Sequence, residues 1–80
     1  MKQVEIRYYA VLREQAGRGG ERVATSAATA RELYAELRAA RGFTLPAPLL
    51  RVAINEEFAD WDRELRDGDQ VVFIPPVAGG

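Results

Sequence analysis

Residues 29–42, TARELYAELRAARG, have the pattern of one capped amphipathic helix, and this helix decides the fold class. Thr29 and Glu32 form a capping box, in which each side chain accepts a hydrogen bond from a backbone amide at the helix start. Gly42 suits the left-handed conformation that follows a helix end. Apolar residues at helical spacing form one stripe: Ala30, Leu33, Tyr34 and Leu37. The pattern predicts a helix from about Ala30 to Arg41.

The segments before the helix predict two strands. Residues 3–9 alternate between two sets of side chains, which is typical of a strand with one buried face. Residues 21–25 predict the second strand. Residues 10–15 predict a short helical turn between the strands, and the glycine-rich residues 17–20 complete the hairpin. The alternation puts Val4, Ile6 and Tyr8 on one side of the first strand and Gln3, Glu5, Arg7 and Tyr9 on the other.

The segments after the helix predict three more strands. Residues 50–54 are mostly apolar, and Asn55-Glu56 predicts a turn into a brief strand near Phe58. Asp67-Gly68-Asp69 predicts a tight turn that leads into residues 70–74, the most strand-like run in the chain. Two aromatic side chains in the loop-like stretch are predicted to plug the open end of a small core: Phe58 and Trp61.

Together these elements predict an α+β fold in a single domain, residues 1–80. One main helix must cover one face of a mixed sheet of about five strands, as in the ubiquitin-like β-grasp roll. In that roll the first and last strands pair in parallel at the centre, so Val71 and Phe73 should face the helix with Val4, Ile6 and Tyr8. The rival split-βαβ fold needs a second full helix, for which residues 10–15 are too short.

The composition excludes several classes of function. The chain has 80 residues, a net charge of -1, no His, no Cys and one lysine, Lys2. The commonest general bases and nucleophiles are therefore missing, so a complete active site within this chain is not expected. No basic stripe points to nucleic acid, and no apolar run could span a membrane. We therefore expect a cytoplasmic protein.

Two other segments resemble ligand-binding sites but are interpreted as ordinary turns and loops. Four carboxylates near the last turn lack the spacing of a calcium loop: Asp60, Asp62, Asp67 and Asp69. Residues 17–20 lack the Lys-Ser/Thr pair and the following helix of a phosphate loop. No metal and no bound cofactor is predicted for either segment.

The closing residues 75–80, PPVAGG, are the segment that could most readily take part in a reaction. Pro75 and Pro76 end the last strand and favour an extended chain, which can reach about 20 Å beyond the sheet. Gly79 and Gly80 have no side chains, so they could thread a narrow channel. The carboxylate of Gly80 is a group that a partner enzyme could activate. Taken alone, however, a diglycine end is a weak signal, and a frayed tail is the favoured interpretation.

The wider sequence around this segment resembles the small-subunit family of molybdopterin synthase, a group of ubiquitin-like sulfur carriers. Residues 67–80, DGDQVVFIPPVAGG, are similar to that family's Asp-Gly-Asp turn, apolar strand and Pro-Pro-Val-x-Gly-Gly end. Residues 8–14, YYAVLRE, are similar to its first strand and the turn that follows. The resemblance covers essentially the whole chain.

This resemblance implies a mechanism centred on Gly80. An adenylating enzyme related to ubiquitin-activating enzymes would use ATP to activate its carboxylate, and a sulfur donor protein would convert it to a thiocarboxylate. The tail, with Gly79 threading, would then enter the large synthase subunit. There it would give sulfur to a cyclic pyranopterin in molybdenum cofactor biosynthesis. The chain would bind no cofactor itself and would not be an enzyme alone.

The predicted partner surface lies on the sheet face away from the helix, beside the tail. Its expected members are Tyr9, Val72, Ile74, Pro75, Pro76 and Val77. Three readings remain open: this carrier, a carrier for thiamine or tRNA thiolation or a modifier joined to lysines, and a passive ubiquitin-like interaction domain. In the last case the final two residues would be dispensable.

Overall fold

The computed structural model describes residues 1–76, so the predictions for Val77, Gly79 and Gly80 lie outside the described residues. The longest connection between its elements is residues 60–69, and one 3-10 turn, Ala47–Leu49, precedes the third strand. The strands are β1 (Lys2–Tyr8), β2 (Gly20–Thr25), β3 (Arg51–Ile54), β4 (Glu57–Ala59) and β5 (Gln70–Ile74). The helices are α1 (Ala10–Ala16) and α2 (Ala30–Arg41).

The five strands form one mixed sheet in the order β2-β1-β5-β3-β4. Strands β1 and β5 are parallel, with Glu5 opposite Gln70 and Tyr8 opposite Phe73. The other three strand pairs are antiparallel. The predicted β-grasp, with the first and last strands paired in parallel at the centre, is confirmed.

Helix α2 has the predicted bounds because its ends are defined by local hydrogen bonds. Thr29 Oγ1 accepts from the Glu32 amide at 3.3 Å. The Glu32 carboxylate accepts from the Ala28 amide at 2.5 Å, one residue before the amide that a standard capping box uses. Gly42 has a φ of 73° and its amide donates to the Arg38 carbonyl at 2.9 Å, which closes the helix.

The core lies between α2 and one face of the sheet, as predicted. Its members from the central strands are Val4, Ile6, Tyr8, Val71 and Phe73, and those from α2 are Ala30, Leu33, Tyr34 and Leu37. Trp61 is half-buried and packs on this core, with its ring centre 5.9 Å from that of Phe73 and stacked on it. The predicted role of Trp61 at the open end of the core is confirmed.

Two predictions about the first hairpin are corrected. Tyr9 is not the last residue of β1, because the strand ends at Tyr8 and Tyr9 is the N-cap of α1. The predicted helical turn at residues 10–15 is a seven-residue helix that ends at Ala16. Ala10 has a φ of 51°, so the chain turns sharply between the strand and this helix. Gly20 already belongs to β2, and a Cβ there would lie 2.7 Å from the Ile6 carbonyl oxygen.

Phe58 does not plug the core as predicted. It lies in β4 opposite Ala53, on the sheet face away from α2, and 65% of its surface is exposed. The prediction was wrong because a three-residue strand is too short for its periodicity to show which side faces the core.

The longest helix in residues 1–76 has 12 residues, and none of their helices is long and apolar enough to cross a membrane.

Candidate functional site

The outer face of the sheet carries a shallow apolar depression, which we call the apolar outer face. Its apolar residues are Tyr9, Ala53, Phe58, Val72 and Ile74, and Glu56 lies at its edge. Val72 and Ile74 alternate along β5 with the buried Val71 and Phe73, so the pleat of the strand turns them outward. Tyr9 stands beside them and is 51% exposed. The structure therefore brings together Tyr9, Val72 and Ile74, as the sequence predicted.

Two members of this face, Ala53 and Phe58, were not predicted. Ala53 pairs with Val72 on one side and with Phe58 on the other, so three neighbouring strands each add one side chain. The Arg51 guanidinium carbon lies 4.3 Å from the centre of the Phe58 ring. Because successive side chains of a strand point to opposite faces, the assignment of the larger Val52 and Ile54 to the core would have turned Ala53 outward.

The β3–β4 turn is held against the start of β5 by Asn55. Its amide donates to the Gln70 carbonyl at 2.8 Å, and its side-chain oxygen accepts from the Gln70 amide at 3.0 Å. Its side-chain amide donates to Asp69 Oδ1 at 2.9 Å. Asn55 has a φ of 52°, a left-handed conformation that asparagine tolerates well. This network positions the turn at the edge of the apolar outer face.

Asp69 is a buried carboxylate that organises the loop before β5. It accepts from the Arg66 amide at 2.8 Å and from Arg63 Nη1 at 3.0 Å, besides its bond from Asn55. Burial by itself raises its pKa, but the hydrogen bonds from Arg66, Asn55 and Arg63 outweigh burial and hold the pKa below the ordinary 3.8. Within the part of the chain that the structure describes, no three carboxylates are grouped as a metal would require.

A second buried polar cluster joins β1, β2 and the end of α2. The Tyr8 hydroxyl donates to Glu21 Oε2 at 2.5 Å, and Arg41 donates to both Glu21 oxygens. The hydrogen bonds from Arg41 are the main reason why the pKa of Glu21 lies below its ordinary value. Burial, and then the bond to Glu21, raise the pKa of Tyr8. Because each group is paired, this cluster is suited to holding elements together rather than to proton transfer.

Strand β5 leads directly from the apolar outer face toward the closing segment. It ends at Ile74, which pairs with Arg51, and two prolines without amide donors follow. Pro75 is buried and Pro76 is exposed. Pro76, the last described residue, therefore lies at the surface of the domain. The partner-binding roles predicted for Pro75 and Pro76 remain predictions.

A β-grasp domain with an apolar patch beside its last strand has the form of a ubiquitin-like protein. The chain belongs to the ThiS family, whose model matches residues 6–80. It is 31% identical over 80 residues to the molybdopterin synthase sulfur carrier subunit of Escherichia coli strain K12, covering 96% of this chain and 99% of that protein.

Two solved structures extend the comparison. Small archaeal modifier protein 1 of Haloferax volcanii superimposes with a TM-score of 0.81 at 25% identity, covering 96% of this chain and 100% of that one. A chain from the complex of subunits 1 and 2 of the Helicobacter pylori molybdopterin-converting factor superimposes with a TM-score of 0.68 at 26% identity. That match covers 98% of this chain and 99% of the other.

Proposed function

We propose that this chain is the sulfur carrier subunit of a molybdopterin synthase, which acts in the cytoplasm. The observation that carries the proposal is the position of the apolar outer face, directly beside the strand that leads into Pro75-Pro76 and the diglycine. A face in that position lets one partner hold the domain and receive its tail. The similarity to the E. coli carrier over 96% of the chain supports the same reading.

In this proposal the reacting group is the carboxylate of Gly80. A ubiquitin-activating-like enzyme joins it to AMP from ATP with release of pyrophosphate. Sulfide-level sulfur delivered by a sulfur donor protein then attacks the acyl carbon and displaces AMP, which leaves a thiocarboxylate on the chain. The adenylate is needed because a free carboxylate is a poor electrophile. The thiocarboxylate supplies the sulfur nucleophile that a chain without Cys otherwise lacks.

The large synthase subunit is the proposed partner for the next step. It covers Tyr9, Val72 and Ile74, joined by the exposed Phe58, and guides Pro76, Val77 and the diglycine to a bound cyclic pyranopterin. The large subunit supplies the catalytic side chains, and this chain donates the sulfur. The complex named for the H. pylori proteins supports a partner of this kind.

A second candidate function is a protein modifier. It is favoured by the superposition on the H. volcanii modifier protein. A modifier forms an amide bond between its C-terminal carboxylate and a lysine amine, whereas a synthase subunit ends its cycle with a free carboxylate. The two functions share the adenylation step and differ in the acceptor.

The deciding experiment measures intact mass after incubation with ATP, the activating enzyme and a sulfur source. We expect a gain equal to one oxygen replaced by sulfur, located on the fragment that contains Gly80. The untreated chain is measured first, to establish that it ends at Gly80. A chain without Gly80 is the control and should gain nothing.

Conversion of a known carrier in the same tube, with no change in this chain, would contradict the proposal. Conversion followed by attachment to lysines, without sulfur transfer in the presence of the large subunit, would favour the modifier.

Gly79→Ala should be adenylated but should transfer sulfur poorly, because a methyl group must then pass the channel.

A further inference from the structure

Glu56 adopts a backbone conformation that does not suit its side chain. It is the second residue of the two-residue turn between β3 and β4, since Ile54 pairs with Glu57. Its φ is 71°, and that of Asn55 is 52°. Turns with two left-handed residues favour Asn-Gly, because a Cβ at the second position crowds the following carbonyl. The chain therefore keeps a glutamate where glycine would fit with less strain.

The fold gives Glu56 no compensating contact among residues 1–76. It is exposed, and the hydrogen bonds and ion pairs of those residues do not include its carboxylate. The two glutamates on β1 and β2 are paired: Glu5 with Arg22 at 2.9 Å, and Glu21 with Arg41. The strain at Glu56 is therefore not offset within the described part of the fold.

The position of Glu56 suggests which interaction could offset the backbone strain at this residue. The residue lies at the edge of the apolar outer face, with Phe58 and Ile74, and also lines an adjoining polar depression. A partner that covers the apolar outer face thus brings its own rim against Glu56. Charges at the rim of an interface steer association and discriminate between partners.

We propose that Glu56 is a specificity-determining residue, whose carboxylate pairs with a Lys or Arg side chain that the large synthase subunit presents at this rim. This inference rests on the proposed function, because it takes the large subunit as the occupant of the apolar outer face. The inference adds that the large subunit must present a basic side chain beside the β3–β4 turn. A related subunit without that basic group is then disfavoured.

The experiment must distinguish attraction of Glu56 to the partner from attraction of Glu56 to Arg7, a cation of this chain. Arg7 lines the same polar depression as Glu56, together with Glu5. If Glu56 acted only by attracting Arg7, its charge would matter within this chain and not to the partner. Removing both charges separates these two cases.

The experiment compares Glu56→Gln with Glu57→Gln in binding to the large subunit, by calorimetry at low and high salt. Glu57 is the matched control, because it is adjacent, exposed and turned to the opposite side of the sheet. We expect Glu56→Gln to weaken binding about threefold at low salt and less at high salt. Glu56→Lys should weaken it more than tenfold, since it sets like charges together. Glu57→Gln should bind as the unchanged chain does.

Equal affinity of Glu56→Gln and the unchanged chain would overturn the inference while leaving the proposed function intact. So would a loss that disappears when Arg7→Gln is also present. If the unchanged chain does not bind the large subunit, the proposed function fails and this inference fails with it. A separate arm uses Glu56→Gly, which should raise Tm by roughly 5 °C and still weaken binding. A lower Tm would overturn the premise that the glutamate is strained.

Discussion

Arg51 and Phe58 form a cation–π pair on the outer face of the sheet, with 4.3 Å between the guanidinium carbon and the ring centre. Both side chains are exposed. Such a pair at an exposed site contributes about 0.5–1 kcal/mol. This is enough to favour one orientation of the ring, so the Phe58 side chain is biased toward that orientation before a partner arrives.

Phe58→Ala should weaken binding to the large subunit about tenfold or more, because buried aromatic residues carry much of the energy of an interface. It should change Tm little, since 65% of the side chain is exposed in the free chain. Leu49→Ala is the matched control: Leu49 is 54% exposed but lies in the 3-10 turn, outside the apolar outer face. Calorimetric titration measures both variants. Equal losses for the two would show that Phe58 has no special place in the interface.

Ile74→Arg should weaken association with the large subunit strongly, because it places an unpaired charge in an apolar contact. The side chain is only half-buried in the free chain, so the variant should fold. Ala24→Arg is its control, since Ala24 shares the outer side of the sheet but lies on the edge strand β2, which β1 separates from β5. Gel filtration with the partner measures the association of both variants, and circular dichroism shows whether each variant is folded. If Ile74→Arg folds and elutes with the partner as before, the binding face lies elsewhere.

Asp69→Asn should lower the free energy of unfolding at neutral pH by roughly 1–3 kcal/mol, because a buried hydrogen-bonded carboxylate is replaced. It should also reduce the pH dependence of stability. The folded pKa of Asp69 lies below the ordinary 3.8, so its contribution is present above that value and is lost as pH falls through the folded pKa. The pKa of Glu21 is likewise held below its ordinary 4.5, so its contribution to stability is also lost as the pH falls through its folded pKa. Urea unfolding between pH 6 and pH 3 tests this: parallel curves for variant and unchanged chain would contradict it.

Thr29→Ala should cost about 1 kcal/mol, because the Glu32 amide loses its capping acceptor. In a domain of this size that loss lowers Tm by about 4–8 °C. Ser26→Ala is the control, since Ser26 is exposed and no side-chain hydrogen bond of residues 1–76 involves it. Thermal unfolding followed by circular dichroism distinguishes them. A Tm of Thr29→Ala equal to that of Ser26→Ala would mean that the cap does not stabilise α2.

The parts of the fold that were predictable from sequence are those defined by nearby residues. Thr29, Glu32 and Gly42 mark the ends of α2 through bonds that span a few positions, and the helix bounds were correct. Tyr9 was assigned to the strand because the alternation continues through it. The positive φ at Ala10, which ends the strand one residue earlier, leaves no mark on that pattern.

The candidate site was predictable where its residues lie on a long strand. Val72 and Ile74 follow from the alternation along β5, but the side on which Phe58 lies depends on its pairing with Ala53. The network around Asp69 was also hidden, because its partners Asn55, Arg63 and Arg66 are joined only when the loop folds back. Pairing between distant segments, rather than local preference, decided these residues.

The parallel pairing of β1 with β5 makes the centre of the sheet depend on segments from the two ends of the described chain. During synthesis, β1 leaves the ribosome long before residues 70–74 exist, and contacts between such distant segments form late. Until then Val4, Ile6 and Tyr8 have no neighbour on that side. A chain truncated before β5 should therefore stay unfolded and be removed by proteases. Only chains extended through β5 can therefore display the complete apolar outer face to a partner.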